Sequence, residues 1–578
     1  MNEFAVWAPR ARAVEVEVAG RRLAMESHPD GWFTVADQQA ATGDDYAFHL
    51  DGGPARPDPR SPWQPEGVHG RSRVVDHRAF PWSDAGWHGA PLGAAVIYEL
   101  HVGTFSATGT FDGVVEHLDH LVDLGVTAVE LMPVAEFPGR RGWGYDGVDL
   151  YAAYHGYGGP EGLKRLVDAC HAHGLAVVID AVYNHLGPDG NYLADFAPYF
   201  SDRYRTPWGA AINLDGADSD EVRRFVVDNA LMWLRDYHVD GLRLDAVQAI
   251  VDTSATHILE EIAEAVGTLQ AQLGRTLWVI AESDLNDPRL VGDRQAGGYG
   301  LDAQWSDDLH HAVHAALTGE RHGYYADFGR LDDVATALRQ VFVNDGRYSR
   351  FRRRRHGRRP SGIPGSRFLG FLQNHDLVGN RAAGERIAAL LGPGLLRAGA
   401  ALVLSAPFVP LLFAGEEWGA LTPFPYFSDH TDPELGRAVT DGRRRELAAF
   451  GSPAEAVPDP QDEATFVRSR LDWSEPAREP HASLLRWYRE LLRLRRSRPE
   501  LCDGRLDRVR IRVDEEHRCL QMDRGRITVA CNLGARRVRA PLPATARRRL
   551  LLCSEAAPDL AGAGVELPPE SVSIWETL

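Results

Sequence analysis

Four short stretches of this chain finish on side chains that can move protons or attack carbon. Residues 176–185 (AVVIDAVYNH), 241–247 (GLRLDAV), 277–284 (LWVIAESD) and 368–376 (FLGFLQNHD) each begin as an apolar β-type run and then turn to Asp, Glu, His or Asn. A buried parallel strand reads this way where its C-terminal tip opens into a site. If the four are neighbouring strands of one barrel, Asp245, Glu282 and Asp376 meet at one point.

Other chemistries find little support. Lys164 is the only lysine, on an amphipathic helix, which speaks against Schiff-base and P-loop mechanisms. No serine sits in a G-x-S-x-G elbow, and Gly156-x-Gly158 is followed by Glu161 where a dinucleotide fingerprint needs its third glycine. His310 and His314 stand one helical turn apart, as metal ligands do, but without an acidic partner pattern they read as a solvated helix face. Five scattered cysteines (Cys170, Cys502, Cys519, Cys531, Cys553), none in CxxC spacing, suggest neither a disulfide framework nor a zinc cluster. A net charge of −18 argues against a nucleic-acid partner and fits a neutral or small polar substrate. The basic run 350–359 (RFRRRRHGRR) reads as a solvated loop. With no membrane-span run and no secretory pattern at the N-terminus, the expected location is the cytoplasm.

The elements that must position the carboxylates follow from periodicity. At 578 residues, 44% apolar and 25% charged, the chain is too long for one core and suits about three domains. Val14, Val16 and Val18 alternate with Glu15 and Glu17, an antiparallel strand with one wet face. Further β-type runs at 32–35 and 46–50, then a Pro-rich stretch at 54–65 read as a linker, give a β-sandwich over 1–90. From there β-runs alternate with helices. Strands are expected at 95–102, 128–134, 175–185, 241–247, 277–283, 302–307, 367–376 and 408–416, with helices such as 113–124, where Val114, Leu118, Leu121 and Val122 share a face, and 219–237. Eight repeats make a (β/α)8 TIM barrel over 91–500, with an insertion at 186–218 forming part of a cleft wall. After a helix at 484–496, runs at 509–513, 527–531 and 572–575 suggest a C-terminal antiparallel β domain over 501–578.

In this order and on these strands, the four stretches resemble the signature regions of the α-amylase superfamily of glycoside hydrolases, and the resemblance covers nearly the whole chain. Residues 281–288 (AESDLNDP), 373–381 (QNHDLVGNR) and 426–435 (YFSDHTDPEL) are most similar to the subfamily that releases trehalose from maltooligosyltrehalose. The phrase FAVWAP at 4–9 is similar to the early-set, immunoglobulin-like sandwich that precedes the barrel in branching and debranching relatives.

The resemblance implies a retaining mechanism at the α-1,4 bond next to the trehalose end, with Asp245 as nucleophile, Glu282 as general acid/base and Asp376 as the third carboxylate, gripping sugar hydroxyls. Arg243, two residues earlier on the same strand face, can keep Asp245 ionised. His185 and His375 match histidines that bind the sugar being cleaved, and Tyr145 matches a tyrosine that stacks under it. Asp180 is expected to orient Arg243 or the neighbouring backbone rather than touch sugar. Gln248 and Ala249 depart from the Lys-His pair that many amylases carry on the leaving-group side, so Gln248 is a candidate contact to trehalose. Asn184 falls where calcium-dependent relatives place a ligand, but one amide oxygen makes no calcium cage. No metal and no cofactor are expected. A synthase that makes the substrate is implied by resemblance alone. The alternatives are a 1,4-α-glucan branching enzyme, which passes the glycosyl group to another glucan, and a noncatalytic glucan-binding protein.

Overall fold

The computed structural model describes residues 2–449, 453, 456–541, 547–556, 560–561 and 564–578. At its centre eight parallel strands close into a barrel: β1 (Ile97–Leu100), β2 (Ala128–Leu131), β3 (Ala176–Ala181), β4 (Gly241–Leu244), β5 (Trp278–Ala281), β6 (Ala303–Trp305), β7 (Phe368–Phe371) and β8 (Val409–Phe413). Every residue of these strands is buried, which is why they read as continuous apolar runs rather than alternating ones. All eight expected strands are present but shorter than the runs that announced them. The tips at 182–185, 245–247, 282–284 and 372–376 leave the ladder, and the polar residues of interest sit on them.

Register places those tips side by side. Asp180 on β3 pairs with Arg243 on β4, and Leu244 pairs with Ala281 on β5. Asp245 and Glu282 are the next residues on adjacent strands and emerge together. Asp376 arrives differently, in the first turn of a short helix (His375–Gly379) whose Asn374 cap accepts from Leu377 N–H.

Two antiparallel sheets precede the barrel. One pairs Asn2–Trp7 with Trp32–Asp37; the other pairs Val14–Val18 with Arg21–Ala24 and Asp45–Leu50, burying the three valines. The Pro-rich stretch is not a linker. Ala55–Arg56 pairs with Asp45–Leu50, Asp58, Ser61 and Gln64 are buried, and Ser72–Arg73 returns to the same sheet. After the barrel, helix His481–Ser497 buries Arg495, which donates to the carbonyls of Leu404, Ala406 and Phe408. A five-stranded antiparallel sheet follows, including Val509–Asp514, Ile527–Asn532 and Ser571–Thr577.

Three further expectations need correction. The helix expected over 113–124 is two, Phe111–Val115 and Leu118–Leu124. His117 lies at the break with its ring stacked on Trp473, and Val122 is exposed rather than packed. His310 and His314 are on neither a solvated face nor a metal site. The helix Asp307–Thr318 turns them into the core, where His310 meets the Leu372 carbonyl and the Tyr325 hydroxyl and His314 meets Glu320. Burial lowers both pKa values, so they pack as neutral rings. The basic run is partly structural, since Tyr348–Ser349 and Arg354–Arg355 form a small hairpin and Arg352 turns inward.

Candidate active site

Arg243 organises the mouth of the barrel. Its fully buried guanidinium donates through Nη1 to both oxygens of Asp180 at 2.8 Å and to Asp245 Oδ1 at 2.7 Å, and stacks over Trp305 at 4.5 Å. A desolvated cation–π contact of this kind contributes about 2 kcal/mol. Nη2 lies 3.7 Å from Glu282 Oε2. One cation therefore faces three carboxyl groups.

Asp245 is held on its other side by Asn184, whose amide donates to Asp245 Oδ2 at 2.7 Å and to its carbonyl at 2.8 Å. The Asn184 oxygen meets His185 Nδ1. The Asn184 amide is thus engaged in orienting the carboxylate and its neighbour. Among the described residues no group of three or more His, Cys, Asp or Glu is spaced to hold a metal.

The surroundings of Glu282 favour its protonated form. Oε2 accepts from the backbone N–H of Ala246 at 2.6 Å, and Ala246 has a left-handed φ of 38° that a non-glycine residue adopts only under constraint. The strain falls on the residue joining the two carboxylates. Burial raises the Glu282 pKa well above the ordinary value, and the charges of Asp245, Asp307 and Asp376 add to that against the pull of Arg243. The Asp376 side chain is 44% exposed, whereas those of Asp245 and Glu282 are 11% and 12% exposed. Asp376 is thus free to meet a hydroxyl group, while the other two are fixed.

Tyr145, Asp180 and His375 form a chain of hydrogen bonds. The Tyr145 hydroxyl donates to Asp180 Oδ2 at 2.6 Å and lies 2.7 Å from His375 Nε2, while His375 Nδ1 is 2.5 Å from Glu99. Burial opposes a charge on His375, but Glu99 and Asp376 outweigh it and raise its pKa. With an acceptor on each nitrogen, His375 fits as an imidazolium that donates both ways. Burial lowers the pKa of His185, which is stacked 5.1 Å from Trp208.

Beside these groups lies a cavity of about 170 Å³. Glu282, Asp284, Trp305, Asp307, Asp376 and Arg352 line it, together with Tyr324, Phe351 and several asparagines. Gln248 is not part of this wall. It lies on the turn Val247–Ala249, with its Oε1 buried and unpartnered among the described residues.

Sequence reasoning missed four contributors. Glu99 was visible as a lone carboxylate in the apolar run 95–102, and Asp307 as a further acidic end on the run 302–307. Arg352 was hidden in the basic run, where only its ion pair with Asp284 at 2.9 Å marks it out. Trp208, at the tip of the hairpin formed by Phe200–Thr206 and Gly209–Ile212 in the insertion, carried no local signal.

Cleaving a glycosidic bond through a covalent intermediate requires a protonated acid and an ionised carboxylate about 5 Å apart. Glu282 and Asp245 bracket a single guanidinium at the C-terminal face of a parallel barrel, which defines the class as α-amylase-type glycoside hydrolases. Comparison with known proteins agrees. Residues 81–206 match the family model described as the alpha amylase catalytic domain, and 504–574 match a domain of unknown function. The chain is 52% identical to the malto-oligosyltrehalose trehalohydrolase of Mycobacterium tuberculosis over 93% of both chains. Its identity to that of Arthrobacter ramosus is 53%, over 92% of this chain and 93% of the relative. A crystal structure of an alpha amylase candidate from Salmonella typhimurium superposes with a TM-score of 0.91 at 38% identity, covering 99% of this chain and 97% of the other. By contrast, a glucan branching enzyme from Bacillus caldolyticus is 32% identical over only 53% of this chain. The chain belongs to the malto-oligosyltrehalose trehalohydrolase family.

Proposed function

We propose that this protein hydrolyses the α-1,4-glucosidic bond next to the trehalose end of maltooligosyltrehalose, releasing trehalose and a maltooligosaccharide. The observation that carries this reading is identity above 50% to trehalohydrolases across more than nine-tenths of the chain, joined to a complete set of carboxylates at the barrel mouth.

The chemistry follows from the geometry. Glu282 gives its proton to the glycosidic oxygen as Asp245 attacks the anomeric carbon from the opposite face. The C–O bond breaks, trehalose leaves, and the maltooligosaccharide stays on Asp245 as an ester. Glu282, now a carboxylate, takes a proton from water; the water attacks the same carbon, the ester bond breaks, and Asp245 is regenerated with retained configuration. Asp376 binds hydroxyls of the distorted ring, Tyr145 stacks under it, and His185 and His375 complete the contacts to that sugar. The cavity beyond Glu282 receives the leaving trehalose; Gln248, outside that wall, remains the candidate contact from the turn Val247–Ala249. A wall this rich in carboxylates repels anionic ligands and offers acceptors to hydroxyl-rich ones.

The reading also places the protein in the cytoplasm beside a synthase that makes its substrate, and divides the chain near residues 90 and 500. Among the described residues no helix is long and apolar enough to cross a membrane. The deciding experiment is the product profile on a defined maltooligosyltrehalose beside a maltooligosaccharide of equal length. Free trehalose and a strong preference for the first substrate are expected. Comparable turnover of both removes the trehalose claim, and new α-1,6 branches indicate the transferase.

A further inference from the structure

The cavity beside Glu282 is lined by six carboxyl groups, and five of them are engaged. Glu282 accepts from Ala246 N–H, Asp284 pairs with Arg352, and Asp308 accepts from Asn286 and from the backbone of Val343 and Asn344. Asp327 accepts from Ser349 and the Arg350 backbone, and Asp376 faces Asn380 and His375. Asp307 is different. It lines the same cavity, yet its carboxyl makes no hydrogen bond and no ion pair among the described residues. Asp307 is half-buried on the cavity wall, so a ligand that fills the cavity takes this carboxyl out of water and has to supply its hydrogen bonds.

The geometry points to Asp307 as the specificity-determining contact to the leaving saccharide, its carboxyl hydrogen-bonded to a hydroxyl of the sugar unit that carries the departing oxygen. This rests on the hydrolase reading above and names a residue that reading did not use. Asp307 opens the helix Asp307–Thr318, so its backbone is fixed by twelve residues of regular structure and its carboxyl cannot swing out with a loop. The groups facing it are Asp284, Asp308, Asp376, Glu282 and Tyr324, with Arg243 the opposing cation. Burial, then the charges of Asp284 and Asp376, push its pKa up to about 7. Near neutrality it can therefore donate to a sugar oxygen as readily as accept from a hydroxyl. The two α-linked glucoses of trehalose offer both kinds of partner, whereas a 4-nitrophenyl leaving group has no sugar hydroxyl to donate.

The test is kinetic. For Asp307→Ala and Asp307→Asn, kcat/KM is measured on maltooligosyltrehalose and on a 4-nitrophenyl α-maltooligosaccharide, whose leaving group has no hydroxyls to bind. Free trehalose is titrated as a product inhibitor, and thermal unfolding reports integrity. Asp307→Ala is expected to lose about 10-fold or more on the saccharide leaving group, the scale of one hydrogen bond to a polar or charged group. It should change less than about 3-fold on the aryl glycoside and weaken trehalose inhibition, while Asp307→Asn recovers part of the loss. Equal losses on both substrates, or none on either, overturn the assignment. If the wild type releases no trehalose, the functional reading falls, while the ratio of saccharide to aryl losses still decides the role of Asp307.

Discussion

The two ends of the barrel are built from the same parts and use them differently. At the N-terminal end His171 lies between two carboxylates, 2.9 Å from Asp84 and 2.9 Å from Asp240. Asp240 also accepts from Trp87 Nε1 and Val177 N–H, Trp87 stacks on the His171 ring, and His238 pairs with Asp84. At the C-terminal end His375 likewise lies between acidic groups, but there Glu282 has one backbone donor, Asp307 has no partner among the described residues, and Asp376 faces solvent. Complete pairing turns ionisable groups into a clamp. Incomplete pairing leaves them poised for a substrate, which is the division of labour expected between the bottom and top of a (β/α)8 barrel.

Substitutions at the two ends should therefore separate activity from stability. Asp245→Ala removes the attacking group and is expected to lower kcat on the order of 10⁴-fold or more while leaving the unfolding temperature nearly unchanged. Steady-state rates with circular dichroism as the folding check measure this; a variant within tenfold of wild type erases the contrast. Glu282→Gln should cost about 10²–10⁴-fold on the natural substrate and much less with an aryl leaving group that needs no proton. Because the Glu282 pKa lies well above the ordinary carboxylate value, wild-type activity should persist at neutral pH and fall on the alkaline side as that proton is lost. The glutamine variant should lack that limb in its pH–rate profile.

At the opposite end, His171→Ala should destabilise the protein by about 3 kcal/mol with kcat per folded molecule intact, since it strands two buried carboxylates. The sign with pH follows from linkage. Burial opposes the charge on His171, but Asp240 and Asp84 outweigh it and raise its pKa, so its contribution is complete below the unfolded value of about 6.5 and is lost as pH rises through the folded value. Asp84 behaves oppositely. Burial works against its charge, yet His171 and His238 hold it well below the usual carboxylate range, so its contribution is complete above about 4 and fades as pH falls. Melting curves from pH 5 to 9 should show the His171→Ala deficit narrowing toward the alkaline end; a deficit that grows there contradicts the assignment. The smallest effect is expected from Trp208→Ala. Its ring is half exposed on the cleft wall beside His185, and its loss should raise KM a few-fold, about 1 kcal/mol of aromatic contact, with little change in kcat.

What the sequence disclosed follows this contrast. Barrel strands declare themselves because burial on both faces demands apolar runs, and a carboxylate closing such a run stands out, as at Asp245 and Glu282. The partnership of Arg243 with Asp180 and Asp245 was legible, but register between those runs was not, so the approach of the same guanidinium to Glu282 required the fold. Long-range partners were equally hidden. Glu99 meets His375 across 276 positions, and Trp473 from near the barrel's end splits a helix near its start by stacking on His117. The histidine pair at 310 and 314 misled because spacing on a helix does not say which way the face turns. Its outcome depended on Tyr325 and Leu372, residues of other elements.

The central claim is that Asp245 carries the sugar between the two half-reactions. Incubation with 5-fluoro-α-D-glucosyl fluoride, followed by proteolysis and mass spectrometry, reads this directly. The account predicts a single hexosyl adduct on the peptide containing Asp245, formed in the wild type and lost in Asp245→Ala. An adduct on another residue, or turnover to the inverted anomer with no adduct at all, would contradict it.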